Sequence, residues 1–249
     1  MAKVLGVIPA RYGSSRLPGK PLKDICGKPM IQHVYENASK SEVLDKVVVA
    51  TDDQRVYDAV VAFGGEAVMT SVNHPTGSDR VAEAASHYPD CDYVINIQGD
   101  EPLVPPQIID DIGSALINSP DCVMATGSVP IDGEDYIKNN TVVKVVTDVN
   151  GNAIYFSRSP IPYPRNAQHA KYFEHVGIYA YTHDFLNTYT KLAPTPLSES
   201  ESLEQLKVLE HGYKIKIVPA PAQYEAVSVD TEEDLQAVIR IYKERHGLC

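Results

Sequence analysis

The chain has 249 residues, 43% of them hydrophobic and 22% charged, with 22 Lys and Arg against 33 Asp and Glu, a formal net charge of −11. This composition supports a folded chain with a substantial core and excludes a disordered one. The acidic balance argues against nucleic acid or an anionic membrane as partner, yet a phosphate compound can still bind where the few cations gather.

The first apolar run, residues 4–8, is too short for a signal-peptide core or a membrane span and reads as a buried first strand, so the expected compartment is the cytoplasm. Further strands are expected at 46–51 and 93–98, with helices between them at 31–40, 54–63 and 80–87. That alternation predicts an α/β fold with a mostly parallel sheet, helices on both faces and right-handed crossovers. The second half is less regular. Strands are expected at 123–130, 141–147 and 153–157, the last two joined by an Asn150-Gly151-Asn152 hairpin turn. A loop follows over 158–170, with Pro160, Pro162 and Pro164, then a strand at 175–181 and a helix at 203–211 ended by Gly212. The last helix is well signalled: Thr231 caps it, Glu232, Glu233 and Asp234 fill its first turn, and Lys243, Arg245 and His246 lie near its end. No linker or repeat divides the chain, so a single domain over 1–249 is expected, its less regular half a small antiparallel lobe on the substrate side. Cys26, Cys91 and Cys122, in no C-x-x-C pair, read as buried apolar side chains, and terminal Cys249 as exposed.

The first strand runs into Pro9-Ala10-Arg11-Tyr12-Gly13-Ser14-Ser15-Arg16-Leu17-Pro18-Gly19-Lys20-Pro21-Leu22. Ligands of open α/β sheets bind beyond the carboxyl ends of the strands, where small residues let backbone N–H groups approach an anion and Arg or Lys supplies countercharge. Pro21 after Lys20 rules out a Walker A loop, and G-x-G-x-x-G is absent. Taken alone, the segment fits a phosphate loop and an exposed basic loop equally well. Asp100, after the third strand, and Asp230, before the last helix, are carboxylates that can converge on one Mg²⁺, which takes one or two protein carboxylates and completes its shell with water and phosphate. Singly, Asp230 also suits a helix cap and Asp100 a plain loop position. Arg158 suits a sugar carboxylate or a surface ion pair. Gln98, His175, Tyr179, Glu204 and Gln205 suit sugar hydroxyls or ordinary structural roles.

The loop from Ile8 to Leu22 closely resembles the nucleotide-binding loop of the 3-deoxy-manno-octulosonate (Kdo) cytidylyltransferases. The resemblance continues through Val49-Ala50-Thr51-Asp52-Asp53, Thr76-Gly77-Ser78-Asp79-Arg80, Asn96-Ile97-Gln98-Gly99-Asp100-Glu101-Pro102, Val143-Lys144-Val145-Val146, Tyr155-Phe156-Ser157-Arg158, His175-Val176-Gly177-Ile178-Tyr179, Leu203-Glu204-Gln205-Leu206 and Val229-Asp230-Thr231, nearly the whole chain in order. It implies a Rossmann-like nucleotidyltransferase fold, a homodimer, and transfer of CMP from CTP to a 3-deoxy sugar acid for lipopolysaccharide synthesis. It implies Mg²⁺ on Asp100 and Asp230, with Glu101 behind them and Lys20 and Arg16 as catalytic cations. It implies triphosphate contacts from Arg11, Ser14, Ser15, Arg16 and Lys20, and base and ribose contacts near Pro9, Ala10, Thr76, Ser78 and Arg80. It places the sugar against Gln98, Arg158, His175, Tyr179, Glu204 and Gln205. Two positions depart from the family: Ser198 stands where a glutamate is frequent, and Lys207 where an arginine is. They leave Kdo, its 8-amino analogue and sialic acid open as acceptors, beside a nucleotide-binding regulator without turnover. An Asp-x-Asp glycosyltransferase is disfavoured by Gly99-Asp100-Glu101.

Overall fold

The structure, a computed structural model, describes residues 2–14, 16–221, 224 and 227–248. It divides into two compact units, Met1–Asp110 with Ala222–Cys249, and Asp111–Pro221.

In the first unit β1 (Val4–Ala10) is followed by a small antiparallel pair, β2 (Asp24–Ile25) and β3 (Lys28–Pro29), then α1 (Met30–Ala38), β4 (Lys46–Thr51), α2 (Gln54–Ala62), β5 (Ala67–Met69), α3 (Gly77–Ser86) and β6 (Tyr93–Asn96). The strands order as β5-β4-β1-β6, every neighbouring pair parallel. Val4, Leu5, Val7 and Ile8 are all buried, as are Val47 to Ala50. Strands buried at successive residues are covered on both faces, which is why these runs are continuous and not alternating. After β1 the chain builds β4 and β5 on one side and then crosses back to place β6 on the other. The order therefore reverses beside β1, and the loops leaving β1 and β6 border the crevice where such sheets bind ligands.

The chain enters the second unit along α4 (Pro106–Ile117). That unit contains β7 (Met124–Ile131), α5 (Glu134–Lys138), β8 (Lys144–Thr147), β9 (Ala153–Ser157), β10 (Tyr172–Thr182), α6 (His183–Tyr189), α7 (Pro196–Glu201), α8 (Gln205–Glu210) and β11 (Ile215–Pro219). Its strands are mixed: β7 pairs β11 in parallel and β10 antiparallel, β10 pairs β8, and β8 and β9 form the expected hairpin. Gly151 supplies the positive φ of 75° that this turn needs, and Asp148 accepts the N–H groups of Asn150 and Asn152 at 2.8 Å each. The chain returns to the first unit as α9 (Glu232–His246). Thr231 and Asp234 cap it reciprocally, and Gly247 ends it in the left-handed conformation.

The sequence reading passed over β2, β3, α4, β5, α5, α6, α7 and β11. The helix expected to start at Arg80 starts at Gly77, because Thr76 and Asp79 form a capping box there. Of the cysteines expected inside, only Cys122 is buried; Cys26 and Cys91 are half-buried, and Cys249 lies outside the described residues. No described helix is long and apolar enough to cross a membrane.

Candidate active site

The site grows from the two loops at the reversal point beside β1. In the first, Gly19 takes φ 67° and donates its N–H to the Tyr12 carbonyl at 3.1 Å, folding the loop back on itself. Leu17 is buried with Ile25, Met30, Val229, Leu235 and Val238. This apolar cluster ties the loop to the segment before α9 and leaves Lys20, three residues on, facing the cleft. In the second loop Gly99 passes against β1, where an added Cβ would lie 2.6 Å from the Pro9 carbonyl oxygen. No side chain fits there unless backbone moves. Gly99→Ala is accordingly expected to displace the neighbouring Asp100 and cut turnover about ten-fold, with a stability loss of ~1–3 kcal/mol; steady-state rates and urea unfolding check both.

The acids converge through the backbone. Val229 donates its N–H to the Asp100 carbonyl at 2.9 Å, which sets Asp230 beside Asp100. Asp234 accepts the backbone N–H of Asp230 at 3.1 Å, and Thr231 serves as the helix cap. The Asp230 side chain is thus not the cap and is left to other partners. Lys20 Nζ donates to Asp100 Oδ2 at 2.8 Å and to Asp230 Oδ1 at 3.1 Å, and Arg16 Nη2 lies 3.1 Å from the same Asp230 oxygen. Burial works against the Lys20 charge, but Asp100 and Asp230 outweigh it and hold its pKa above the ordinary lysine value.

Around this cluster lies a cavity of about 310 Å³ lined by Pro9, Ala10, Arg11, Ser14, Arg16, Lys20, Gln98, Asp100 and Asp230, all singled out from sequence. Ser15 lies outside the described residues. Arg11 also donates to the His74 carbonyl at 3.0 Å. Glu101 accepts from the Tyr224 hydroxyl at 3.1 Å. Thr76, Ser78 and Arg80, expected near the base and ribose, lie at the start of α3. Thr76 spends its hydroxyl in the capping box, and Ser78 is buried. Arg80 is fully buried, with Nη2 2.6 Å from Asp52 Oδ2 and Nη1 bonded to Thr70. Its side chain is enclosed away from solvent. α3 itself is close: a Cβ at Gly77 would touch the Pro9 ring at 4.0 Å.

Arg158, His175, Tyr179, Glu204 and Gln205 lie in the second unit. A ladder of rings runs from His175 to Tyr179 (5.3 Å), Tyr181 (6.2 Å) and Tyr189 (5.4 Å), and the Tyr189 hydroxyl donates to Glu204 at 2.9 Å. Part of His175 remains exposed, but its ring packs edge-on against Phe156 and burial pushes its pKa down to about 3, so it is a neutral hydrogen-bonding group, 3.1 Å from Thr126 Oγ1. Gln205 is buried. The two departures from the family have local accounts. Ser198 closes the α7 capping box with Thr195, and the nearby Glu210 carboxylate accepts the N–H groups of Leu197 and Ser198 at 3.2 Å. Lys207 stacks its ammonium 3.9 Å over the Tyr189 ring. Sequence reading missed Glu201, whose carboxylate accepts the Arg158 backbone N–H at 2.9 Å.

Residues 5–215 match the protein family described as Cytidylyltransferase. The chain is 50% identical to the 3-deoxy-manno-octulosonate cytidylyltransferase of Fusobacterium nucleatum, over 98% of both proteins. It is 49% identical to the enzyme of the same name from Solibacter usitatus, over 97% of this chain and 95% of that one. A solved structure of CMP:2-keto-3-deoxy-manno-octonic acid synthetase complexed with CTP superposes with a TM-score of 0.93 at 45% identity, covering 98% of this chain and all of that one. A cytidylyltransferase from Leptospira borgpetersenii shares the fold at a TM-score of 0.61 and 18% identity, covering 99% of this chain and 96% of that one.

Proposed function

The chain belongs to the cytidylyltransferase family, and from that premise we infer that it transfers CMP from CTP to the anomeric hydroxyl of Kdo. The new bond joins the sugar oxygen to the α-phosphorus, the bond from that phosphorus to the bridging oxygen breaks, pyrophosphate leaves, and the hydroxyl proton passes to solvent. The observation that carries this reading is the Lys20 ammonium held between Asp100 and Asp230, in a cavity that also presents Arg11 and Arg16. Positioning and charge stabilisation dominate a reaction of this type, so fixed cations around the triphosphate are the chemistry it needs.

Magnesium fits the same donor set. Among the described residues no group of three or more His, Cys, Asp and Glu is placed to hold a metal. The Asp100–Asp230 pair instead offers two hard carboxylates already drawn to one cation, which suits an ion that completes its shell with phosphate oxygens and water. Asp100 and Asp230 are the residues that would hold it. When bound, it neutralises triphosphate charge and orients the attacking and leaving oxygens. Lys20 and Arg16 then face phosphate oxygens, the Gly19–Lys20 turn holds the loop against the nucleotide, and Arg158, His175, Tyr179, Glu204 and Gln205 are the second unit's groups assigned to the sugar. A homodimer, a cytoplasmic location and supply of the activated sugar to lipopolysaccharide assembly belong to the same reading, and light scattering checks the first.

Pyrophosphate release with CTP and Mg²⁺ tests the assignment, run in parallel with Kdo, 8-amino-Kdo and sialic acid. The highest kcat/KM is expected with Kdo. Turnover with sialic acid and none with Kdo overturns the acceptor. CTP binding without release with any of the three overturns the activity.

A further inference from the structure

Arg158 leaves β9 at the start of the proline-rich loop, and the structure holds it from several directions. Its backbone N–H goes to Glu201 Oε2 at 2.9 Å and its Nε to the Glu201 carbonyl at 2.8 Å. Nη1 donates to the Asn140 carbonyl at 3.1 Å. Ser202 ends α7 in a left-handed turn, φ 53° and ψ 49°, and its carbonyl lies 3.5 Å from Nη2. The Arg158 carbonyl in turn accepts from Lys144 Nζ at 2.5 Å.

Glu201 is common to most of this. Besides Arg158 N–H, its carboxylate accepts the Ser157 hydroxyl at 2.6 Å and the Tyr155 hydroxyl at 3.2 Å, so alternate residues on one face of β9 hang from one side chain. These bonds outweigh the effect of burial and hold its pKa below the ordinary glutamate value. A guanidinium has five N–H groups. Three of those on Arg158 are directed at carbonyls, which leaves one on each terminal nitrogen without a partner among the described residues. Such a pair is what a carboxylate takes in bidentate fashion.

We propose that Glu201 is a positioning residue that fixes Arg158, so that the free edge of its guanidinium receives the carboxylate of the acceptor sugar acid. The inference rests on the reading above that Arg158 takes that carboxylate. Glutamine is the informative replacement, since it keeps the size of the side chain but turns one acceptor oxygen into a donor facing Tyr155, Ser157 or the Arg158 N–H.

The experiment is a double-mutant cycle with KM for Kdo and KM for CTP read separately in the full-length enzyme. Glu201→Gln is expected to raise KM for Kdo about ten-fold and leave KM for CTP within about two-fold, and Arg158→Ala to raise KM for Kdo by more. In the Arg158→Ala background, Glu201→Gln is expected to add nothing further. If Arg158→Ala leaves KM for Kdo unchanged, the assignment of Arg158 is wrong and the role of Glu201 goes with it. If Arg158→Ala raises it but Glu201→Gln does not, or if Glu201→Gln costs the same factor with and without Arg158, the positioning role alone is overturned. Ser157→Ala removes one of the bonds to Glu201 and is the milder variant should Glu201→Gln not fold; a rise in KM for Kdo of about three-fold is expected, and no rise counts against the proposal.

Discussion

Asp100→Asn is expected to lower kcat by about 10²- to 10³-fold while shifting the melting temperature by only a few degrees. The two parts of this expectation have different origins. Asp100 is joined to the rest of the fold through its backbone, whose carbonyl accepts the Val229 N–H at 2.9 Å, and asparagine keeps that bond. Its side chain is half-buried and faces the Lys20 ammonium at 2.8 Å, and asparagine keeps an acceptor there but not the charge. What is lost is one of the two negative charges that, on the proposed function, gather a cation beside the triphosphate, an interaction useful mainly while charge is moving in the transition state. Pyrophosphate release gives the rate, and a calorimetric titration with Mn²⁺ in the presence of CTP gives a second readout, in which the variant is expected to bind the ion more weakly. Wild-type turnover in Asp100→Asn would remove the basis for the metal assignment.

Much of the first unit was legible because its signals are local. β1 and β4 are short apolar runs with successive buried residues, and α9 carries its cap, its acidic first turn and its basic last turn in adjacent positions. Taken alone the basic loop was ambiguous and the resemblance supplied its expected nucleotide role; the structure adds that Lys20 lies 2.8 Å from Asp100 and 3.1 Å from Asp230. That meeting depends on the Leu17–Val229 cluster and on one backbone bond, neither of which leaves a pattern in sequence. Arg80, which the resemblance sets near the base and ribose, shows what local sequence does not carry: its burial comes with partners 10 and 28 positions away, Thr70 and Asp52. α4 could have been read, since Ile108, Ile109, Ile112 and Leu116 recur at helical spacing behind a proline at the first position. β11 also had a signal, the alternation of Ile215 and Ile217 with Lys216, but its parallel partner β7 lies far off in sequence. Glu201 had none, because its partners Tyr155, Ser157 and Arg158 reach it from another element.

Lys144→Met is expected to destabilise the second unit by ~2–4 kcal/mol. The ammonium of Lys144 is fully buried and donates to the carbonyls of Asn139, Val142 and Arg158 at 3.0, 2.6 and 2.5 Å. Two effects oppose each other. Burial disfavours the charge and lowers the lysine pKa against the pull of Glu201 and Glu174, so a methionine of similar length relieves a desolvation cost. It also withdraws the donor from three carbonyls at once, that of Val142 in a buried bond and those of Asn139 and Arg158 in partly buried ones, and an acceptor left unpaired costs up to ~1–3 kcal/mol where it is buried. Three such losses exceed the relief, and for a chain of this size the difference corresponds to a fall in melting temperature of roughly 4–16 °C. The variant also releases the carbonyl of Arg158, so KM for Kdo is expected to rise along with the loss of stability, while KM for CTP is expected to hold. Urea unfolding followed by tyrosine fluorescence reads the first effect and steady-state kinetics the second. A Lys144→Met enzyme as stable as the wild type would mean that the three hydrogen bonds do no more than offset the cost of burying the charge, and that the Arg158 segment is held from the Glu201 side alone.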